Sequence, residues 1–294
     1  MSEREFPREE LDFRLCVTSG QVFRFVECGG SVWRGVDGGD VIEASHESGG
    51  RWRVRSFPDP AAADRFLRAE VRLADVVRRI VELEPSWKPL VDRFPGLRVL
   101  RQARADETLF SFLCTVNNHL SRIHRLVQTL GSFGECVGDG LFRFPVAGAI
   151  AEIGESRLRE MGFGYRARTI TAVAQELVAR GEDWLPSLKS MPYEEAVRAL
   201  CDLPGVGRKV ADCVCLFGLG FDEAVPVDVH LWRATAERFF PDWVGKSLTE
   251  HRYRAVGDYY REKFGRLAGF AHQYLFYDSI QRGRRGRETK RPRR

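Results

Sequence analysis

One lysine and one aspartate stand at the starts of two consecutive predicted helices in the segment LPGVGRKVADCVCLFGLGFDEAVPVDVHLWRA, residues 203–234. Lys209 falls in the first turn of a helix that begins near Arg208, where the helix dipole disfavours a cation and should lower the pKa of an amine. Asp228 precedes the next apolar-periodic helix, at the position of an N-cap. A neutral amine beside a fixed carboxylate suits covalent attack at a sugar carbon, because the carboxylate stabilises the positive charge that develops there.

The same residues also have ordinary explanations. Lys209 can be a solvated surface lysine, and Asp228 can serve only as a helix cap. Before them, Pro204 ends one helix, and Gly205 and Gly207 allow backbone conformations closed to other residues. The resulting hairpin leaves amides unpaired at the positive end of a helix, which suits a phosphate, although a plain corner between two helices needs no ligand.

Composition limits the class of protein. The chain has 294 residues, 44% of them hydrophobic and 30% charged, with a formal net charge of +5, which is typical of a soluble globular protein. No apolar run reaches the roughly 18 residues of a membrane span, and the charged N-terminus carries no secretory signal. The 7 cysteines lack the spacing of a disulfide framework, so we expect reduced thiols in an intracellular protein.

The N-terminal part of the chain has the pattern of antiparallel strands joined by Gly-rich turns. Short apolar runs predict strands within residues 14–20, 21–27, 31–36, 40–45 and 51–57. After Pro58 the apolar spacing becomes helical, and residues 93–102 are interpreted as a linker.

From residue 106 onward the pattern predicts helices only. They cover roughly residues 106–118, 121–133, 146–151, 155–161, 165–180, 182–188, 192–200, 208–219, 228–239, 249–264 and 269–281. We therefore predict an α+β protein with a small antiparallel β-rich N-terminal domain, residues 1–98, and an all-α domain containing the hairpin, residues 99–282. Residues 283–294 are strongly basic and contain no apolar side chain, which predicts a disordered tail that contacts nucleic acid, acts as a targeting signal or is simply solvated.

Four segments, in order, resemble the helix-hairpin-helix, Gly/Pro-Asp superfamily of DNA glycosylases, and within it the 8-oxoguanine DNA glycosylases of the eukaryotic type. They are TSGQVFRF (18–25), FSFLCTVNNHLSRI (110–123), MGFGYRARTI (161–170) and the segment 203–234. The resemblance extends over about residues 10–281. It implies a glycosylase fold for residues 99–282 and a bifunctional N-glycosylase/AP lyase that flips and excises 8-oxoguanine and related oxidised purines from duplex DNA.

The resemblance also implies roles for single residues. Lys209 would attack C1′ and form the Schiff base that permits β-elimination, with Asp228 as the catalytic carboxylate. The residues implied to contact DNA are Asn117, Arg122, Tyr165, Arg166, Gly205, Gly207 and His230. Asn117 would fill the gap left by the flipped nucleotide, Arg122 would contact the orphaned cytosine, and Tyr165 would wedge into the base stack. His230 would touch a phosphate. From the residues alone, Asn117 can instead bend a helix and Tyr165 can be a core aromatic.

Recognition of the base is implied for a second set of residues: Gly20, Cys213, His272, Gln273 and Phe276. The Gly20 carbonyl would accept the N7 proton that 8-oxoguanine carries and guanine lacks, and Cys213 and Phe276 would sandwich the ring. Cys213 as a small buried residue and Phe276 as a core aromatic remain the alternatives.

The sequence departs from the family pattern twice. His119 stands where the family has the third asparagine of its triplet, which bears on the contacts around the orphaned base. In GFAHQYLF (269–276), His272 occupies the position of a base-contacting glutamine, and Gln273 follows it. Either side chain can donate to the flipped base, so the register stays open here.

No metal and no cofactor are expected. No cysteine follows Cys215, which excludes the iron–sulfur cluster of some related glycosylases, and the histidines do not group. The expected partner is double-stranded DNA containing oxidised guanine, with no membrane partner, bound by a monomer in the cytoplasm or nucleoid of a prokaryote, or in the nucleus of a eukaryote. Two alternatives stay open: a monofunctional glycosylase for alkylated bases, and a non-catalytic helix-hairpin-helix DNA-binding protein.

Overall fold

A computed structural model describes residues 3–283 in full and the backbone of residues 284–288. Its strands are β1 Arg4–Phe6, β2 Val26–Glu27, β3 Val32–Asp37, β4 Asp40–His46, β5 Trp52–Phe57, β6 Cys136–Gly138 and β7 Leu141–Phe142. Its α-helices are α1 Phe13–Thr18, α2 Ala62–Leu67, α3 Leu73–Leu83, α4 Lys88–Arg93, α5 Ala105–Leu113, α6 Leu120–Gly131, α7 Ala147–Glu160, α8 Arg166–Arg180, α9 Trp184–Ser187, α10 Tyr193–Cys201, α11 Arg208–Val214, α12 Val229–Phe239, α13 Glu250–Phe264 and α14 Ala268–Glu288.

The N-terminal sheet is antiparallel throughout, with strand order β1-β5-β4-β3-β2. Tight Gly-containing turns make neighbours in sequence into neighbours in the sheet, as between β3 and β4, where Asp37 pairs with Asp40. Alternation in β5 buries Trp52, Val54 and Ser56 and leaves the residues between them partly exposed, as expected for a sheet with one face on a core. The predicted α+β class is confirmed, with this sheet preceding a helical region.

Two predicted strands are wrong. Residues 14–20 mostly form α1 instead, because Asp12 caps a helix by accepting a hydrogen bond from the Leu15 amide at 3.0 Å. The buried residues of α1 are Phe13, Cys16 and Val17, a helical spacing. Residues 21–27 are irregular except for β2. Gly20 lies between the end of α1 and this irregular segment, which begins with Gln21.

The helical region also differs from the prediction in detail. The two helices predicted over residues 146–151 and 155–161 correspond to the two halves of α7, Ala147–Glu160, which is interrupted at the non-helical Gly154, where φ is 74°. The helix predicted over residues 106–118 stops at Leu113, and the following residues form a turn in which Asn117 has φ 47°. The short hairpin β6–β7 lies where only helices were predicted.

Buried side chains form two hydrophobic clusters. The smaller joins the sheet to α1 and α2 through residues such as Phe13, Trp52 and Phe66. The larger contains the helices from α3 onward, and it already includes Leu73, Trp87 and Leu97. The predicted domain boundary at residue 98 stays a prediction, but the packing of α3 and α4 belongs to the helical cluster.

Arg98 joins the linker to the N-terminal part of the chain. Its guanidinium is buried and donates to the carbonyls of Leu67 at 2.9 Å and Arg68 at 2.8 Å, and to Glu10. The backbone carbonyl of Arg98 accepts from the Gln21 side-chain amide at 2.9 Å. The residues next to Gly20 are therefore fixed in place by buried hydrogen bonds.

The last helix, α14, extends to Glu288. Disorder was predicted from residue 283 onward, so this part of the prediction is wrong for the backbone of residues 283–288. Residues 289–294 of the predicted tail lie outside the described residues. None of the helices within residues 3–288 combines the length and apolarity that crossing a bilayer demands.

Candidate active site

The residues predicted for chemistry and for base recognition share one cavity of about 530 Å³. Those that line it are Lys209, Asp228, Gly20, Cys213, His272, Gln273, Phe276 and His230. The cavity has the size of a small-ligand site. It lies between α11, α12, α14, the turn that follows α5, the start of α6 and the segment after α1 that contains Gly20, so distant parts of the sequence converge on it.

Lys209 is the second residue of α11 and is anchored by the protein. Its Nζ donates to Thr115 Oγ1 at 2.9 Å and lies 5.0 Å from the centre of the Phe112 ring. A cation over an aromatic face is stabilised by the ring quadrupole. This arrangement is not that of a solvated surface lysine, because the amine has a fixed hydroxyl partner on the cavity wall.

The position of Asp228 is compatible with both roles considered for it. It is the N-cap of α12, and its Oδ1 accepts from the amides of His230 at 2.8 Å and Leu231 at 2.9 Å. It is only partly buried and lines the same cavity as Lys209. The cap therefore fixes the carboxylate at the cavity and does not compete with a chemical role.

Cys213 follows Lys209 by one helical turn and presents a neutral thiol. Burial raises the pKa of Cys213 to about 12, against the opposing effect of the Lys209 ammonium. The thiol therefore acts as a small apolar surface, which fits contact with the face of an aromatic base. Phe276, partly buried on α14, also lines the cavity.

The two candidates for the base edge, His272 and Gln273, have different contacts within the protein. The Gln273 amide nitrogen donates to Ser19 Oγ at 3.1 Å and to the Ser19 carbonyl at 3.3 Å, so it is engaged within the protein. The ring of His272 stacks on Phe276 with centroids 5.7 Å apart. Its Nδ1 has no hydrogen-bond partner among the described residues.

His272 is a neutral imidazole at neutral pH. Burial lowers its pKa to about 4, although the negative charge of Asp228 acts in the opposite direction. A neutral imidazole keeps one donor and one acceptor nitrogen. Each candidate keeps one buried atom without a hydrogen-bond partner among the described residues, Nδ1 of His272 and Oε1 of Gln273. They differ in that the amide nitrogen of Gln273 is engaged with Ser19, next to Gly20.

Gly20 needs its glycine conformation. Its φ is +85°, and an added Cβ would lie 3.4 Å from Cε1 of Phe276. A side chain there would be strained by the left-handed backbone, and its Cβ would be in van der Waals contact with Phe276 in the cavity lining. The backbone of Gly20 thus approaches the cavity directly.

Three of the residues predicted to contact DNA, Asn117, Arg122 and Tyr165, lie beside the cavity and not in its lining, whereas His230 is part of the lining. Tyr165 is 54% exposed and its hydroxyl donates to the Val116 carbonyl at 3.1 Å, so the core-aromatic interpretation is wrong. Asn117 is exposed as well. Arg122 donates to the Gly162 carbonyl at 3.1 Å, which connects α6 to the turn before Tyr165.

Arg166 differs from the expectation of a surface DNA contact. It is buried, and its guanidinium donates to the carbonyls of Val116 and of Asn117, the latter at 3.0 Å. Carbonyls at the end of a helix need such donors. In this conformation Arg166 holds the turn that presents Asn117 and does not face outward.

The hairpin glycines are not equivalent. Gly205 has φ +70°, and an added Cβ would lie 2.9 Å from Cγ2 of Thr169. Gly207 has φ −94° and ψ 169°, an extended conformation open to other residues, so the prediction of a special backbone at Gly207 is wrong. The Val206 amide donates to the Leu203 carbonyl at 3.1 Å and is not free, whereas Gly205 and Gly207 are both exposed.

Within the described part of the chain, no cluster of three or more His, Cys, Asp or Glu side chains is arranged to hold a metal ion. Sequence reasoning missed Thr115 and Phe112 as the partners of the lysine. Both lie in the quoted segment 110–123, but their contact with residue 209 is created by the packing of α5 against α11. No local pattern signals such a contact.

Comparisons with known proteins agree with this geometry. A family model described as HhH-GPD superfamily base excision DNA repair protein matches residues 111–257. The N-glycosylase/DNA lyase OGG1 of Arabidopsis thaliana is 35% identical over 281 residues, covering 91% of this chain and 77% of the relative. The N-glycosylase/DNA lyase of Saccharomyces cerevisiae is 38% identical over 229 residues, covering 67% of this chain and 60% of the relative.

A solved structure has the same fold. The 8-oxoguanine glycosylase/lyase of Clostridium acetobutylicum, in complex with dsDNA containing cytosine opposite to 8-oxoG, matches with a TM-score of 0.83 at 24% identity. The match covers 96% of this chain and 99% of that chain. The sheet, the helical region and their mutual placement are therefore common to both molecules.

Proposed function

Because the chain belongs to the HhH-GPD superfamily of base excision DNA repair proteins, we propose that it is a bifunctional DNA N-glycosylase/AP lyase that excises 8-oxoguanine from duplex DNA. The observation that carries the proposal is the convergence of Lys209 and Asp228 on one cavity, with the amine held on Thr115. The named activities of its relatives from Arabidopsis and yeast support the same reaction.

In this proposal the flipped nucleotide enters the cavity and places its C1′ between the two groups. The lone pair of Lys209 Nζ forms a bond to C1′ as the N-glycosidic bond breaks and its electron pair leaves with the base. Asp228 stabilises the positive charge that develops on the sugar. Proton loss from the nitrogen and opening of the sugar ring then give the imine, and removal of a proton from C2′ expels the 3′ phosphate.

The other residues bind and orient the substrate. Cys213 and Phe276 take the two faces of the base, Gly20 accepts the N7 proton, and His272 contacts the base edge. Gln273 supports Gly20 through Ser19. Asn117, Arg122 and Tyr165 contact the duplex where the flipped nucleotide has left it, and Arg166 supports the turn that presents Asn117. The residues that face the backbone phosphates are Gly205, Gly207 and His230. The enzyme acts where cellular DNA is held, in the nucleoid of a prokaryote or the nucleus of a eukaryote.

Borohydride trapping tests the proposal directly. Wild-type protein should give a covalent adduct with a duplex carrying 8-oxoguanine opposite cytosine, and Lys209→Gln should give none. Lys88→Gln is the matched control, since Lys88 is an exposed residue paired with Asp92 on α4. Base release without trapping by the wild type would favour the monofunctional alternative, and neither release nor trapping on any lesion would favour a DNA-binding module.

A further inference from the structure

A buried carboxylate lies directly behind the cavity wall. Asp212 is 1% exposed and follows Lys209 by one turn of α11. Burial raises its pKa, and the positive charge of Arg208 and hydrogen bonds from two tyrosines oppose that effect. A buried carboxylate is costly unless such donors surround it, so the tyrosines have at least a structural role.

The two tyrosines are not equivalent. Tyr193 donates to Asp212 Oδ1 at 2.5 Å, and the remaining contacts of its hydroxyl are with Arg208 and Arg261. Tyr253 donates to Asp212 Oδ2 at 2.5 Å and accepts from the backbone amide of Val227 at 3.1 Å. One hydroxyl can donate and accept at once, so the Tyr253 oxygen joins two segments of the protein.

These two segments carry the reactive pair. Asp212 belongs to the helix that holds Lys209, and Val227 is the residue before Asp228. Burial and the neighbouring Asp212 charge raise the pKa of Tyr253 well above its ordinary value, so its hydroxyl remains a donor. The bridge runs through groups that are all buried, which gives it a fixed geometry that solvent does not replace.

We propose that Tyr253 is a positioning residue that sets Asp228 relative to Lys209, through the bridge from Asp212 to the Val227 amide. The expected effect of Tyr253 on excision rests on the proposed function. Tyr253 touches no substrate; it acts by fixing the backbone that delivers the carboxylate. Since displacements of about 1 Å can cost a hundredfold in rate, loss of one bridging hydroxyl should be visible in the chemical step.

Three tyrosine-to-phenylalanine variants separate bridging from structural support. Tyr253→Phe removes the bridge. Tyr193→Phe removes a donor from the same carboxylate without touching Val227. Tyr260→Phe removes another buried hydroxyl from α13, whose partner is Thr235 Oγ1 at 3.3 Å and which contacts neither segment.

Single-turnover excision with saturating enzyme and duplex affinity are to be measured for all three variants. Tyr253→Phe should slow excision by about tenfold or more with duplex affinity within about twofold of wild type, whereas Tyr193→Phe and Tyr260→Phe should excise within about threefold of wild type. A wild-type rate in Tyr253→Phe would overturn the proposal. An equal loss in Tyr193→Phe would also overturn it, because the effect would then belong to Asp212 and not to the bridge.

Hydrogen exchange of the Val227 amide gives a readout that does not depend on activity. Tyr253→Phe should speed this exchange by about tenfold or more, and Tyr193→Phe should leave it near the wild-type rate. Unchanged exchange in Tyr253→Phe would refute the bridge even if the protein proved inactive on 8-oxoguanine. If the wild type did not excise 8-oxoguanine but the Val227 amide exchanged faster in Tyr253→Phe, the bridge would stand and only the proposed function would be overturned.

Discussion

The cavity wall and the surface beside the cavity are built differently. The inner wall, made of Lys209, Asp228, Thr115 and His272, is held by hydrogen bonds and packing that exist without DNA. The outer rim, made of Val116, Asn117 and Tyr165, is exposed, and Asn117 has a left-handed backbone. Folding thus fixes the reacting groups in advance, whereas the groups proposed to replace a flipped nucleotide are presented to solvent on a turn.

The contrast between the fixed inner wall and the exposed outer rim indicates which groups depend on binding energy from DNA. A preorganised inner wall requires no rearrangement during the reaction. An exposed rim can exchange contacts with water for contacts with bases, at little cost to the stability of the fold. Substitutions on the inner wall should therefore affect chemistry or folding, and substitutions on the outer rim should affect only the handling of duplex DNA.

The largest effect is expected for Asp228→Asn. Asparagine caps helices about as well as aspartate, so the hydrogen bonds to His230 and Leu231 can be kept while the negative charge is lost. Excision should fall by about a hundredfold or more, and stability should change by less than about 0.5 kcal/mol. Single-turnover assays and denaturant unfolding check the two parts. Excision within a few-fold of wild type would reduce Asp228 to a helix cap.

The next largest effect concerns the pH dependence of stability. His272→Gln should lose less unfolding free energy than the wild type as pH falls. The pKa of His272 is about 4 in the fold, below its ordinary value, so the unfolded chain binds the proton more readily. The stability from neutral His272 is present above the ordinary pKa and is lost as pH falls toward 4. Between pH 7 and pH 5 the wild type should lose roughly 2 kcal/mol more unfolding free energy than His272→Gln.

Denaturant unfolding at both pH values measures this difference, with His251→Gln as the control because His251 is exposed. The control should follow the wild type. A constant gap between wild type and His272→Gln across the pH range would show that His272 does not titrate as a buried group, and would weaken the contrast between inner wall and outer rim.

The smallest effect is expected at Tyr165. Removing the ring in Tyr165→Ala should slow excision from duplex DNA by about tenfold, because the wedge offsets part of an unstacking cost of a few kcal/mol. Tyr165→Phe keeps the ring, loses only the bond to the Val116 carbonyl, and should remain near wild type. Both variants should unfold at the wild-type midpoint. A large loss of stability in Tyr165→Ala would show that this part of the outer rim supports the fold.

Much of the site could be read from the sequence because it depends on local rules. Pro204, Gly205 and the start of α11 place Lys209, and the N-cap position places Asp228, whatever the rest of the chain does. The α+β order also follows from the change of apolar spacing after residue 58. The strand wrongly predicted over residues 14–20 had a visible contrary signal, since Asp12 and the spacing of Phe13, Cys16 and Val17 favour a helix.

The remainder depends on tertiary contacts that leave no local trace. Thr115 meets Lys209 only because α5 packs on α11, and Arg166 turns inward only because carbonyls of a distant turn need donors. The hydrogen bonds of Gln273 depend on the position of Ser19, far away in sequence. Asp212 is an intermediate case: a lone carboxylate within VADCVCLF predicts buried donors but cannot identify them as Tyr193 and Tyr253.

Gly20 reaches the cavity from outside the helical region, on a segment fixed by Gln21, Gln273 and Arg98. In the proposed function, one of the groups that recognise the lesion therefore comes from outside the helical region that supplies Lys209 and Asp228. A change that loosens the segment around Gly20 should then alter selectivity between lesions before it abolishes the lysine chemistry.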